Sequence, residues 1–232
     1  RNLAKQDIRL IWLRVGAEIC TTIAFLTALK YMPLANVTAI LQALPLAVTM
    51  AAALFLAEPI GWRRWSAILV GFMGVLIVVR PGLDGFNVYS LSALAAIIFI
   101  TVREIATRKL AQEVPTITVV LSTAIGSAVF AGIMMVGAEW HAVSTSSWLL
   151  LIGAAFAVLI ATLLSVMAMR TGEIGFVSPF RYTSMLGAIG LGILMFGEWP
   201  DQPTLAGTLI IVMTGIYTFH REQKISRGVT AA

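Results

Sequence analysis

Apolar residues run through this chain in long blocks, separated by short connections rich in Gly, Pro and Asp. Blocks of about 20 residues match the hydrocarbon thickness of a bilayer when wound as a helix. The pattern predicts eight spans, at residues 8–29, 34–57, 62–80, 88–110, 116–137, 147–169, 174–197 and 203–220. Connections such as Pro81-Gly82-Leu83-Asp84-Gly85 and Trp199-Pro200-Asp201-Gln202-Pro203 carry helix-stopping residues and leave no room for a soluble domain between spans. The apolar runs are continuous, not alternating, so the backbone is satisfied in lipid by helices and not by a barrel. Beyond Arg221 the chain turns polar, and a frayed tail is expected over 221–232.

Two stretches share one layout. Ala28 to Gly61 reads as a basic helix end, a short turn, a long apolar helix and a Glu-Pro stop; Ala168 to Asp201 repeats it 140 residues later. The offset pairs Lys30 with Arg170, Thr38 with Ser178, Gln42 with Tyr182 and Glu58 with Glu198. An internal repeat in an apolar chain predicts a transporter built from two related halves. Lys and Arg concentrate in cytoplasmic loops. With the N-terminus inside, the inner face holds almost all of them, from Arg1, Lys5 and Arg9 to Arg221, Lys224 and Arg227, and the outer face only Lys30 and Arg80. The first turn of the repeat then lies outside and its echo inside, so the repeat is inverted and the expected substrate site lies near the midplane.

Composition agrees. Hydrophobic residues make up 59% of the chain and charged ones 12%, against about 25% charged in soluble domains. The net charge of +5 is taken up by the loop bias and calls for no nucleic-acid partner. A single cysteine, Cys20, excludes an intrachain disulfide and any Cys-based zinc site. The chain opens on Arg1 with no signal run behind it and reads as a fragment or a trimmed chain. Neither histidine sits in a metalloprotease pattern, and no nucleophile elbow or phosphate loop occurs, so no enzyme, metal or cofactor is expected.

Charge inside a bilayer costs about 3 kcal/mol per residue on insertion scales and marks candidate sites. Arg14 and Glu18 lie four apart on one helix face, which allows a local ion pair; Arg14 is also placed to reach the inner interface. Glu18 is the candidate for proton coupling or cation binding. Arg103 is a candidate clamp for an anionic or zwitterionic group, with interfacial anchoring the alternative for it and for Glu104. Arg181 has only Val177 and Met185 at four residues either side, so its partner must come from elsewhere. Thr38 with Ser178, and Gln42 with Tyr182, put polar groups at matched depth in the two halves. Pro45 and Pro179 interrupt helical hydrogen bonding. Gly153, Ala157 and Ala161, like Ala188 and Gly192, recur at four-residue spacing, which permits close helix packing.

Ala28-Leu29-Lys30-Tyr31, Pro45-Leu46, Glu58, Gly71, Gly74, Arg80-Pro81-Gly82, Thr107-Arg108-Lys109-Leu110, Ser178-Pro179, Glu198 and Gly215, taken in order, resemble the EamA-like branch of the drug/metabolite transporter superfamily. Arg103-Glu104-Ile105-Ala106-Thr107-Arg108 is similar to a variant found in carriers of the riboflavin and S-adenosylmethionine type. The resemblance implies an all-α polytopic membrane protein: ten helices in two inverted five-helix repeats, both termini cytoplasmic, in the bacterial inner membrane. This chain would supply about eight of the ten, with the last three helices of the first repeat in 1–87, the second repeat in 88–220 and a tail in 221–232. It implies a secondary transporter of a small polar metabolite (riboflavin-like, nucleoside-like or amino-acid-like) working by alternating access. The positive excess among Arg14, Glu18, Arg103, Glu104 and Arg181 suits an anionic or zwitterionic substrate. Aromatic faces at Trp12, Phe99, Phe180 and Tyr182 are candidates to stack on a flat ring. Proton coupling through Glu18 and a homodimer stay open. The rival reading is a membrane assembly subunit whose intramembrane charges pair internally and leave no wet cavity.

Overall fold

Among the described residues the apolar blocks are helical and no strand occurs. The computed structural model describes residues 5–56, 61–80, 87–137, 144–171, 183–197 and 199–230. In chain order the elements are α1 (Lys5–Tyr31), α2 (Leu34–Leu41), α3 (Leu44–Phe55), α4 (Trp62–Val79), α5 (Ser90–Lys109), α6 (Thr116–Met134), α7 (Thr145–Thr171), α8 (Thr183–Leu191, continued by a π-helical turn Gly192–Phe196) and α9 (Gln202–Thr230). Among the described residues, five segments are long and apolar enough to cross a membrane, including Leu34–Phe55 counted through its break. Trp65–Val79, Gly187–Phe196 and Gln202–Tyr217 are shorter apolar helices.

The span predicted at 34–57 is one crossing in two pieces. Pro45 has no N–H, so the Leu41 carbonyl loses its donor four residues on. The chain tightens there, with Gln42 N–H donating to Ala39 O at 3.2 Å and Ala43 N–H to Ile40 O at 3.0 Å. Gln42 thus sits at the break between α2 and α3. The tail differs from expectation: α9 runs on to Thr230 instead of fraying at Arg221. No Pro or Gly lies between Gly215 and Gly228 to stop it.

Two antiparallel pairings organise the packing. Along α1 and α5, the Asp7 carboxylate accepts the Ala111 N–H at 3.1 Å at one end. At the other end Tyr31 stacks on Tyr89, with ring centroids 4.1 Å apart, and Asn87 donates to the Tyr31 carbonyl at 2.9 Å. Along α4 and α9 the backbones close in at Gly74 and Gly207. A Cβ on Gly207 would lie 2.6 Å from the Gly74 carbonyl oxygen, and one on Gly74 would lie 2.8 Å from that of Gly207. One core gathers α2 to α5 with α9 around Val37, Ile40, Ile68 and Ile211; a second joins α1, α6 and α7 around Ile11, Val15, Val119 and Val166.

Helix α7 docks through Leu163 and Val166, near its C-terminal end. From Thr145 to Ala161 it is exposed, including Leu149, Leu150, Ile152 and Phe156, as befits a lipid-facing helix. Its small-residue stripe makes no close packing, and a Cβ on Gly153 would meet nothing within 4 Å. Spacing permitted a tight crossing, but no helix among the described residues supplies the other side.

Arg80 caps α4 in the left-handed conformation, φ 52°, and its guanidinium pairs with Asp201 at the start of α9. Asp201 also accepts the Thr204 N–H at 3.1 Å, an N-cap bond, and the Thr204 hydroxyl reaches Asn36 Oδ1 at 3.2 Å. Partial burial of Asp201 favours its neutral form, but the hydrogen bonds from Thr204 and Arg80 outweigh it and hold the carboxyl below its ordinary range. A carboxylate more acidic in the folded state stabilises above its unfolded pKa, and that contribution disappears as pH falls through the folded value. Asp201→Asn should therefore lower the melting temperature at pH 7, with the gap to wild type closing as pH drops below about 4. Thermal melts in detergent over pH 3–7 check this; a gap that persists at the acid end would exclude the carboxylate charge as its cause.

Candidate functional site

The antiparallel register of α1 and α5 sets Glu18 opposite Arg103. The Arg103 Nη1 donates to Glu18 Oε2 at 2.6 Å, and its Nη2 lies 3.8 Å from Glu104 Oε1. Arg14, one turn before Glu18, is 2% exposed, in the electrostatic field of Arg103, Glu18 and Glu104. Its Nε has no hydrogen-bond partner among the described residues. Two guanidinium groups and two carboxylates thus share one junction between helices. Sequence spacing pointed to an Arg14–Glu18 pair on one helix, but Glu18 instead turns to α5. Nor does Arg14 reach toward an interface, and Glu104, 2% exposed, is no interfacial anchor. Helix–helix packing brought a closer partner than the local turn offered.

One cleft opens beside this junction and a second lies further along α1. The first, about 470 Å³, lies between α1, α6 and α7. Glu18, Thr22, Thr123, Ser127 and Thr162 supply polar groups to an otherwise apolar lining that includes Val120, Leu151 and Val158. Ser127 Oγ is buried with no hydrogen-bond partner among the described residues. The second cleft, about 480 Å³, lies between α1, the α2–α3 break and α8, lined by Phe25, Thr38, Gln42, Pro45, Ser184 and Ala188. Across it Gln42 Nε2 donates to Ser184 Oγ at 3.4 Å. The Thr38 hydroxyl returns to its own helix, donating to Leu34 O at 2.8 Å. Glu18, Thr22 and Phe25 recur at four- and three-residue spacing, so one face of α1 forms a wall of both clefts.

Of the residues singled out by sequence, Glu18 and Arg103 meet directly, and Thr38 and Gln42 share the second cleft. Ser178, Arg181 and Tyr182 lie outside the described residues, as do Glu58, Pro179 and Glu198. Arg103 lines neither cleft; Glu18 does. Trp12 is 69% exposed and borders a separate apolar groove with Ile125 and Phe130. Sequence reasoning passed over Thr22, Ser127 and Ser184. Thr22 was within reach as the residue one turn beyond Glu18, whereas lone hydroxyls in apolar spans give no comparable signal.

The model of the EamA-like transporter family matches residues 6–80 and 88–219. The chain belongs to the EamA-like transporter family. Its EamA-like relatives transport small metabolites, and the chain is a multi-pass bacterial membrane protein. It is 30% identical to a riboflavin transporter of Vibrio cholerae over 98% of this chain and 76% of that protein. It is 26% identical to an S-adenosylmethionine uptake transporter of Rickettsia conorii over 84% of this chain and 66% of the relative. A pseudopaline exporter of Pseudomonas aeruginosa is 24% identical, with 92% of this chain and 76% of the exporter aligned. One crystal structure, 20% identical, superposes with a TM-score of 0.65 over 89% of this chain and 74% of its own, an agreement in fold.

Proposed function

We propose that this protein is a secondary carrier that moves a small polar metabolite across the bacterial inner membrane by alternating access. The observation that carries the reading is the Glu18–Arg103 pair, held at the helix junction beside a cleft that Glu18 itself lines. An ion pair that only fixed packing would have no cleft to face. Glu18, Thr38, Gln42 and Arg103 then belong to the binding region, joined by Ser178, Arg181 and Tyr182. The halves 1–87 and 88–220 act as inverted repeats. The Gln42–Ser184 contact, 142 residues apart, supports this, because a pseudo-two-fold axis brings positions about 140 apart face to face. Both termini lie in the cytoplasm on this reading. The relatives direct attention to riboflavin, S-adenosylmethionine and pseudopaline.

The rival reading as an assembly subunit draws support from the internal pairing of Glu18 and Arg103, but it required no cleft. Uptake into proteoliposomes of the full-length protein separates the two. The panel is riboflavin, S-adenosylmethionine, amino acids and nucleosides, with Glu18→Gln and Arg181→Ala assayed beside wild type. Accumulation of one compound, reduced at least tenfold in either variant at equal protein content, is the expected result. Accumulation of none of them would favour the assembly reading.

A further inference from the structure

We propose that the cleft between α1, α6 and α7 receives a positively charged group of the transported molecule, an ammonium or similar cationic donor, on the Glu18 carboxylate. This rests on the carrier reading above and narrows its substrate class. Sequence alone favoured an anionic or zwitterionic substrate, because arginines outnumber carboxylates in the spans. The structure reverses the local balance. Among the described residues that line this cleft Glu18 is the one charged group, and the remaining polar liners are the hydroxyls of Thr22, Thr123, Ser127 and Thr162. Arg103 approaches Glu18 from the α5 side, is engaged by the carboxylates of Glu18 and Glu104, and lines neither cleft. An anion entering here would meet a carboxylate, with both guanidinium groups behind it.

Glu18 has capacity for a second partner. An ionised carboxylate accepts about four hydrogen bonds, and Arg103 occupies Oε2. A cationic donor can therefore add at Glu18 without first displacing Arg103. Ser127 supplies an independent pointer to a ligand, because its buried hydroxyl lines the same cleft without a hydrogen-bond partner among the described residues. Buried hydroxyls are normally satisfied, in membrane helices most often by a carbonyl of the preceding turn. The volume of about 470 Å³ falls within the range of small-molecule sites.

Charge-selective thiol labelling tests this without a known substrate. The full-length protein carries Cys20→Ser and Ser127→Cys in native membranes. Two methanethiosulfonate probes are compared, one bearing a trimethylammonium group and the other a sulfonate, each rate being divided by the rate of that reagent with free cysteine. The expected result is about a tenfold preference for the cationic probe, as a nearby carboxylate in a poorly screened cleft imposes. Adding Glu18→Gln should bring the two rates to near parity, and Glu18→Asp, which keeps the charge on Arg103, should preserve the preference. Parity with Glu18 present, a preference for the sulfonate, a preference that survives Glu18→Gln, or failure of both probes to react would each overturn the proposal. The rates report the charge of the cleft whether or not any panel compound is carried, so failure of this inference and failure of the carrier reading are seen separately.

Discussion

Arg103→Ala should destabilise the protein by about 2–3 kcal/mol, below the roughly 3–5 kcal/mol typical of a fully buried ion pair because both Arg103 and Glu18 are 18% exposed. Arg103 is the cation in contact with Glu18, and it also approaches Glu104, which is 2% exposed. Its loss leaves two carboxylates at one helix junction without the guanidinium that Glu18 contacts. Thermal unfolding in detergent, read by tryptophan fluorescence, measures the effect. The double variant Arg103→Ala with Glu18→Gln should recover part of the loss, since it removes the stranded charge along with its partner. A single variant within about 0.5 kcal/mol of wild type would show that the pair holds nothing together.

The second large effect is expected where α4 crosses α9. In Gly207→Val the new Cβ would stand 2.6 Å from the Gly74 carbonyl oxygen and 3.2 Å from the Val78 nitrogen. Both obstacles are backbone, so no side chain can swing aside and the helices must part. Overpacking of this kind costs typically 1–3 kcal/mol, and the backbone contact places Gly207→Val at or beyond the upper end. The control is Gly153→Val on α7, where a Cβ meets nothing within 4 Å. Melting temperatures of the two variants decide it: a large drop at position 207 with none at 153 is expected, and equal drops would refute the close-contact argument.

Length and hydropathy made the individual helices legible. The expected spans at 8–29 and 88–110 correspond to Lys5–Tyr31 and Ser90–Lys109. The Pro45 interruption was visible, though not that the chain would form two helices with Gln42 at the gap. Which helix lies against which was not legible. An apolar face reads the same whether it meets lipid or protein, so the α1–α5 and α4–α9 pairings left no trace beyond Gly74 and other small residues. The α7 stripe shows the same ambiguity from the other side: spacing permitted packing, and open space was found. At the candidate site, Glu18 and Arg103 were both picked out, but the local four-residue rule assigned Glu18 to Arg14. Its actual partner is 85 residues away, and no rule of local spacing reaches that far. A sum of charges over the spans likewise does not say which of them lines a surface: Glu18 lines the cleft and Arg103 does not.

That 85-residue separation also bears on how the protein is made. At about 5–20 residues per second, Arg103 is synthesised about 4–17 s after Glu18. Throughout that interval α1 has no α5 to lie against, and each of its charges opposes entry into lipid by about 3 kcal/mol. Arg14, one turn away, is the nearest countercharge in α1 itself and can hold Glu18 during the wait. The partner that Glu18 holds in the folded protein comes only with α5. The pairing of helix α1 is thus completed by a segment that does not yet exist when α1 leaves the ribosome.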